Sequence, residues 1–166
     1  MPPVISIVGR SNSGKTTLIE RLIPELKKRG FRVGTVKHHR RPFEMDLPGK
    51  DSWRHKNAGA EVTIISSPFR IGIIKELSKE LPLESIIRFM EELDIILTEG
   101  YKEEKYPKIE VLNHKFSKEP MIKDESLIAV ITEMEVDLKI PRFNPERIEE
   151  IVDFILSFLR LPMKRE

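Results

Sequence analysis

Cysteine is absent from the 166-residue chain. That single absence removes disulfides, thiolate zinc sites and cysteine nucleophiles together. Any metal has to be held by histidine, carboxylate or hydroxyl groups. Long apolar runs are missing too. No stretch reaches the ~20 residues needed to cross a bilayer, and the opening MPPVISIVG has neither a basic n-region nor a long apolar segment. The expectation is a cytoplasmic protein with no membrane partner. A dominant charge sign is also lacking: 29 Lys and Arg face 27 Asp and Glu, a net +2. Dedicated nucleic-acid binders carry a larger, clustered basic excess, so no nucleic-acid partner is expected. Internal repeats, low-complexity tracts and linker-like stretches are not found. Residues 1–166 are therefore expected to form a single domain, long enough to bury ~70% of its unfolded surface.

What is present alternates between strand and helix patterns. VISIV (4–8) is a short β-branched apolar run. GKTTLIERLIPELKKRG (14–30) follows with helical spacing at Leu18, Leu22 and Leu26, and Gly30 is its expected stop. Pro24 interrupts the hydrogen-bond ladder, so a kink or local widening is expected there. RVGTVK (32–37) completes a βαβ unit. PGKDSWRHKNAG (48–59) predicts a turn and a short helix. EVTIIS (61–66) and RIGIIKE (70–76) predict a β-hairpin. LPLESIIRFMEEL (81–93) predicts a helix with Ile86, Ile87, Met90 and Leu93 inward. DIILTEG (94–100), PKIEVLN (107–113) and LIAVIT (127–132) predict strands. The last helix is expected to start with Asn144 as N-cap and Pro145 at its first position, with Ile148, Ile151, Val152, Ile155, Phe158 and Leu159 as its apolar stripe. The pattern implies an α/β fold with a mainly parallel sheet, whose ligands sit beyond the C-terminal strand ends. The loops 9–16, 38–50 and 99–106 emerge there.

GRSNSGKT (9–16) satisfies G-x-x-x-x-G-K-[ST] at every fixed position, after a strand and before a helix. A glycine-rich turn capped by Ser and Thr would explain Gly9 and Gly14 but not a Lys–Thr pair at this offset. In a phosphate loop, successive N–H groups and the following helix N-terminus hold anionic oxygens. Lys15 would reach the outer phosphates, and Thr16 would offer its hydroxyl to Mg²⁺. A nucleoside triphosphate ligand follows. Magnesium also wants a carboxylate, and Glu99, at the end of DIILTEG, stands at the ligand edge. Asp94 stands at the other end of that strand, as a connector.

VKHHRRPFEMD (36–46) admits three readings. As a metal site it is weak, because His38 and His39 leave a strand in opposite directions. As a nucleic-acid patch, its basic run Lys37, Arg40, Arg41, Lys50, Arg54 and Lys56 is interrupted by Glu44, Asp46 and Asp51, and Lys56 fits a solvated basic face. As an effector loop beside a triphosphate, it accounts for the bases and acids together, with Asp46 approaching the Mg²⁺ shell or orienting water. The third reading explains most.

These segments, with PGKDSWRHKNAGA, EGYK and PKIEV, resemble the molybdopterin-guanine dinucleotide biosynthesis protein B (MobB) family over residues 4 to about 113. The resemblance implies a P-loop NTPase-like three-layer fold with an inserted β-hairpin. It implies GTP and Mg²⁺ as cofactors, at most slow GTPase activity, and a homodimer that uses the 61–76 hairpin. The implied role is an accessory protein in molybdenum cofactor biosynthesis. It would assist a MobA-type guanylyltransferase in converting molybdopterin to molybdopterin guanine dinucleotide, and molybdopterin is itself a candidate ligand. Gly9, Ser11, Asn12, Ser13, Gly14, Lys15, Thr16 and Thr17 would hold phosphates, with Lys50 and Asp51 lining the cleft. Thr16, Asp46 and Glu99 would surround the metal, and Asp46, Lys15 and His38 would be the catalytic candidates. Arg40 and Arg41 stand where family members tend to carry histidine, and the N-K-x-D guanine element of ordinary GTPases is absent. Two alternatives share the phosphate loop: a small-molecule kinase or ligase of the dethiobiotin synthetase type, and a metallochaperone GTPase using His38 and His39.

Overall fold

The computed structural model describes residues 1–162; the last four residues of the expected 1–166 span lie outside it. Its contacts cluster into two compact units. The first, Met1–His38 with Ile87 onward, holds the main sheet; the second is His39–Ile86.

The first unit is built on six strands: β1 (Val4–Val8), β2 (Val33–Lys37), β5 (Ile95–Glu99), β6 (Lys108–Val111), β7 (Leu127–Ile131) and β8 (Arg142–Phe143). They pair in the order β2-β5-β1-β6-β7-β8, and every pairing is parallel. β1 therefore lies mid-sheet, and the loops after β1, β2 and β5 leave neighbouring strand ends on one edge. Helix α1 (Lys15–Lys28) and helix α4 (Ile148–Phe158) cover one face. That core joins Ile5, Ile7, Leu97, Ile109 and Ile131 to Leu18, Leu22 and Leu26 of α1 and Ile151, Val152 and Ile155 of α4. Strand alternation sends the intervening residues to the opposite face, which is more polar. There the Thr98 hydroxyl donates to Ser6 Oγ at 2.9 Å, with both residues fully buried. Lys108 and Glu110, also buried on that face, tie down loops instead of packing against a helix.

α1 stays helical through Pro24, whose missing N–H leaves the Glu20 carbonyl without its intrahelical donor. It ends as the sequence predicts: Phe31 N donates to Leu26 O (3.1 Å) and Gly30 N to Lys27 O (2.9 Å), a Schellman motif with Gly30 at φ 81°. Asp94 acts as a connector, accepting from Arg32 N at 2.7 Å and donating its own N–H to Arg32 O at 2.9 Å.

Four details differ from the sequence expectation. The helix expected over 81–93 is only α3 (Leu83–Ile87) followed by a 3₁₀ turn, Arg88–Met90. Met90 and Leu93 pack where a Gly34 side chain would stand: a Cβ there would meet Met90 Sδ at 2.7 Å and Leu93 Cδ1 at 2.8 Å. α4 begins at Ile148 rather than at Pro145, because Asn144 builds a turn first. Its Oδ1 accepts Glu146 N at 2.8 Å and its carbonyl accepts Arg147 N at 2.9 Å. Leu156 joins the buried stripe, whereas Phe158 faces solvent. Strand β8, two residues long, carries too short a pattern to be seen in the sequence.

The second unit contains α2 (Asp51–Asn57) and an antiparallel hairpin of β3 (Val62–Ser67) and β4 (Arg70–Lys75). Ile64 lies opposite Ile73, and Ser66 opposite Ile71. Val62, Ile64, Ile71 and Ile73 thus share one face, and all are exposed.

Candidate functional site

The loop after β1 has the backbone that its glycines predict. Gly9 sits at φ 144°, Asn12 at 61° and Gly14 at 107°. Gly9 admits no side chain: a Cβ would meet the Val111 carbonyl oxygen at 2.6 Å and Ser13 Oγ at 2.7 Å. The end of β6 therefore forms the floor beneath this turn. Ser13 is buried, and its hydroxyl has no hydrogen-bond partner among the described residues. Ser11, Asn12, Thr16 and Thr17 are exposed.

Gly14 hands the chain to α1, placing Lys15 and Thr16 in the first turn. The Lys15 ammonium donates to the Arg10 carbonyl at 2.8 Å, folding back across its own loop. Burial pushes the Lys15 pKa below the usual lysine value; Glu99 opposes that effect, and Lys37 adds to it. The Thr16 hydroxyl donates to Glu99 Oε2 at 3.0 Å. The other carboxylate oxygen, Oε1, lies 3.3 Å from Lys37 Nζ. A hydroxyl and a carboxylate thus converge at the mouth of the loop, with two lysines beside them. In the sequence Lys37 stood in a basic run and was not paired with Glu99. Its position follows from strand register, since Lys37 is the β5-facing partner of Glu99.

His38 is elsewhere. One residue past Lys37, it follows the strand alternation to the other side, and its ring stacks on Tyr101 with centroids 4.7 Å apart. Its backbone N–H donates to Glu99 O at 2.9 Å. Gly100 turns the chain between them at φ 97°, and a Cβ there would approach His38 Cβ at 3.2 Å. Tyr101, buried at φ 53°, is an uncommon conformation for an aromatic residue and was not singled out in the sequence.

Asp46, Lys50 and Asp51 belong to the second unit. Asp46 Oδ1 accepts Leu47 N at 2.8 Å, while its Oδ2 is shielded from solvent and has no hydrogen-bond partner among the described residues. Lys50 caps α2 and Asp51 opens it; both are exposed. His39 Nδ1 lies 2.8 Å from Arg41 O, and its ring meets Phe43 edge-on. Lys56 is not the solvated cation expected: it pairs with Glu44, and its side chain is largely covered. Among the described residues no group of three or more His, Asp or Glu side chains gathers as a metal cage. No described helix is long and apolar enough to cross a membrane.

The family model for molybdopterin guanine dinucleotide synthesis protein B matches residues 4–133. The chain belongs to the MobB family. The molybdopterin-guanine dinucleotide biosynthesis adapter protein of Haemophilus influenzae is 37% identical over 159 residues, covering 95% of this chain and 89% of that protein. Its Escherichia coli counterpart is 33% identical, covering 96% and 95%. Among solved structures, Bacillus subtilis MobB superposes with a TM-score of 0.77 at 32% identity, covering 99% of each chain. The parallel sheet and separate hairpin therefore match the MobB fold over nearly the whole length.

Proposed function

We propose that the chain binds GTP and Mg²⁺ at the 9–17 loop and serves, as a cytoplasmic homodimer, as an accessory protein in molybdenum cofactor biosynthesis. It assists a MobA-type guanylyltransferase in converting molybdopterin to molybdopterin guanine dinucleotide, and residues 1–166 work as one nucleotide-binding domain. MobB membership and the adapter name of the relatives support the role. The observation that carries the nucleotide site is the 3.0 Å contact between the Thr16 hydroxyl and Glu99 Oε2.

That pair fits magnesium. The ion takes one or two protein oxygens and completes its octahedron with phosphates and water, so no protein cage is required. Thr16 and Glu99 would hold the ion, which would supply positive charge against the phosphates. The chain's own residues do the rest. The positive-φ turn at Gly9, Asn12 and Gly14 orients backbone N–H groups for phosphate oxygens. Lys15 exchanges the Arg10 carbonyl for an outer phosphate, a charge-assisted bond stronger than the neutral one it gives up. The buried Ser13 hydroxyl adds a donor within the same turn.

Titration calorimetry with GTP, GDP and ATP, with and without Mg²⁺, tests this reading. We expect GTP to bind in a Mg²⁺-dependent manner and Lys15→Ala to abolish binding. A wild-type chain that ignores GTP, or binds it equally well without Mg²⁺, would overturn the proposal.

A further inference from the structure

Lys37 and Glu99 are register partners in the parallel β2–β5 pair, so both side chains rise from the same face of the sheet. That is the face covered by α1, whose first turn carries Lys15 and Thr16. Glu99 divides its carboxylate between two donors: Thr16 holds Oε2 at 3.0 Å, and the Lys37 ammonium stands 3.3 Å from Oε1. Lys15 stands next to Thr16 in the first turn of α1. Two cations and one carboxylate thus share the mouth of the phosphate loop.

This arrangement is poorly suited to a bare divalent cation. Such an ion would meet a carboxylate already neutralised by an ammonium, and would be repelled by a second lysine close by. A polyphosphate reverses the balance, because its negative charge attracts both lysines and leaves Glu99 free for the metal. The exposures agree with that exchange. The Lys37 side chain is 60% exposed on a flexible stem and free to swing, whereas Glu99, at 15%, is held in place.

We propose that Lys37 is a positioning residue that keeps Glu99 closed to bare divalent cations and moves to the outermost phosphate when a nucleoside triphosphate binds. Metal entry is thereby coupled to the triphosphate, and a diphosphate, lacking the outermost group, draws Lys37 away less well. The inference rests on the nucleotide-binding reading above and assigns a specificity role to a residue outside the phosphate-loop motif.

The test uses the full chain and two readouts independent of hydrolysis. Mn²⁺ binding to the nucleotide-free protein is measured by electron paramagnetic resonance, and GTP and GDP affinities are measured in Mg²⁺. Lys37→Met should bind bare Mn²⁺ about tenfold more tightly than wild type, from the loss of one nearby positive charge. Its preference for GTP over GDP should fall by about tenfold, the loss of one charge-assisted contact. Lys37→Arg, which keeps the charge, should remain close to wild type in Mn²⁺ binding. If Lys37→Met matches wild type in both measurements, or Lys37→Arg tightens Mn²⁺ binding as Lys37→Met does, the proposal is wrong. A wild-type chain that binds no GTP would instead sink the nucleotide reading itself.

Discussion

Glu99 ends an apolar strand, and its two oxygens reach a hydroxyl from α1 and an ammonium from β2. One carboxylate therefore ties together three elements that are separate in sequence. Gly9 is equally constrained, by space rather than charge. Gly9→Ala would place a methyl 2.6 Å from a backbone oxygen at φ 144°. We expect it to destabilise the fold by about 3 kcal/mol, visible as a lower urea midpoint, and to abolish triphosphate binding as the turn opens. At this scale Gly9, Lys15 and Thr16 were legible from a fixed spacing, and Glu99 from its place at a strand end. Lys37 and Tyr101 were not. Their roles depend on which strands lie side by side and on how the chain turns at Gly100.

On the sheet face away from α1 and α4, buried charged side chains of β6 hold neighbouring loops in place. Glu110 accepts Met121 N at 2.9 and 3.0 Å and Ile122 N at 3.1 Å, so one buried carboxylate anchors the loop that follows β6. Glu110→Ala leaves those donors unpaired. Amide exchange at Met121 and Ile122 should accelerate roughly 30-fold, corresponding to about 2 kcal/mol of local stability, as read by hydrogen exchange. Beside it, Lys108 reaches the Ser126 hydroxyl at 2.9 Å and the Glu104 and Tyr106 carbonyls. The Ser126 hydroxyl and N–H, with Lys108 nearby, hold the Asp124 pKa below its usual value. A carboxylate depressed in the folded state contributes stability above its unfolded pKa and loses it as pH falls through the folded one. Urea midpoints followed between about pH 2 and 5 should therefore fall more steeply with acid for wild type than for Asp124→Asn. Strand and helix positions in this half were legible from periodicity, but these polar anchors were not. Lys108 and Glu110 look like the alternating polar residues of an ordinary strand, and only the second covered face buries them. Asn144–Pro145 misled for a related reason: an Asn side chain caps a turn as readily as a helix, and the following geometry selects between them.

Across the whole molecule, the parallel order β2-β5-β1-β6-β7-β8 gathers the loops that follow β1, β2 and β5 on one edge. The hairpin of the second unit behaves differently. Val62, Ile64, Ile71 and Ile73 form an apolar face with exposures of 44–63%, and Phe69 at the turn is 99% exposed. A two-stranded hairpin is marginal in water, and exposed aliphatics on one face favour burial against another chain. The proposed homodimer would provide that cover. Replacing Ile64 and Ile73 together by lysine should turn a dimer into a monomer in sedimentation equilibrium while leaving GTP affinity within about twofold, since no phosphate-loop residue changes. An unchanged dimer would remove the hairpin from the interface.

The sequence by itself determined the alternation of strands and helices, the glycine-rich 9–16 turn with its Lys15–Thr16 pair, and the acid that ends β5. Those features are local: they depend on residue spacing, on positive-φ glycines and on side-chain periodicity within a few turns of chain. Tertiary structure alone decided that β5 lies between β2 and β1, that Lys37 pairs with Glu99, and that His38 turns to the opposite side onto Tyr101. Such contacts depend on strand order and register, which are set by burying two sheet faces at once and leave no signature in any short window of sequence.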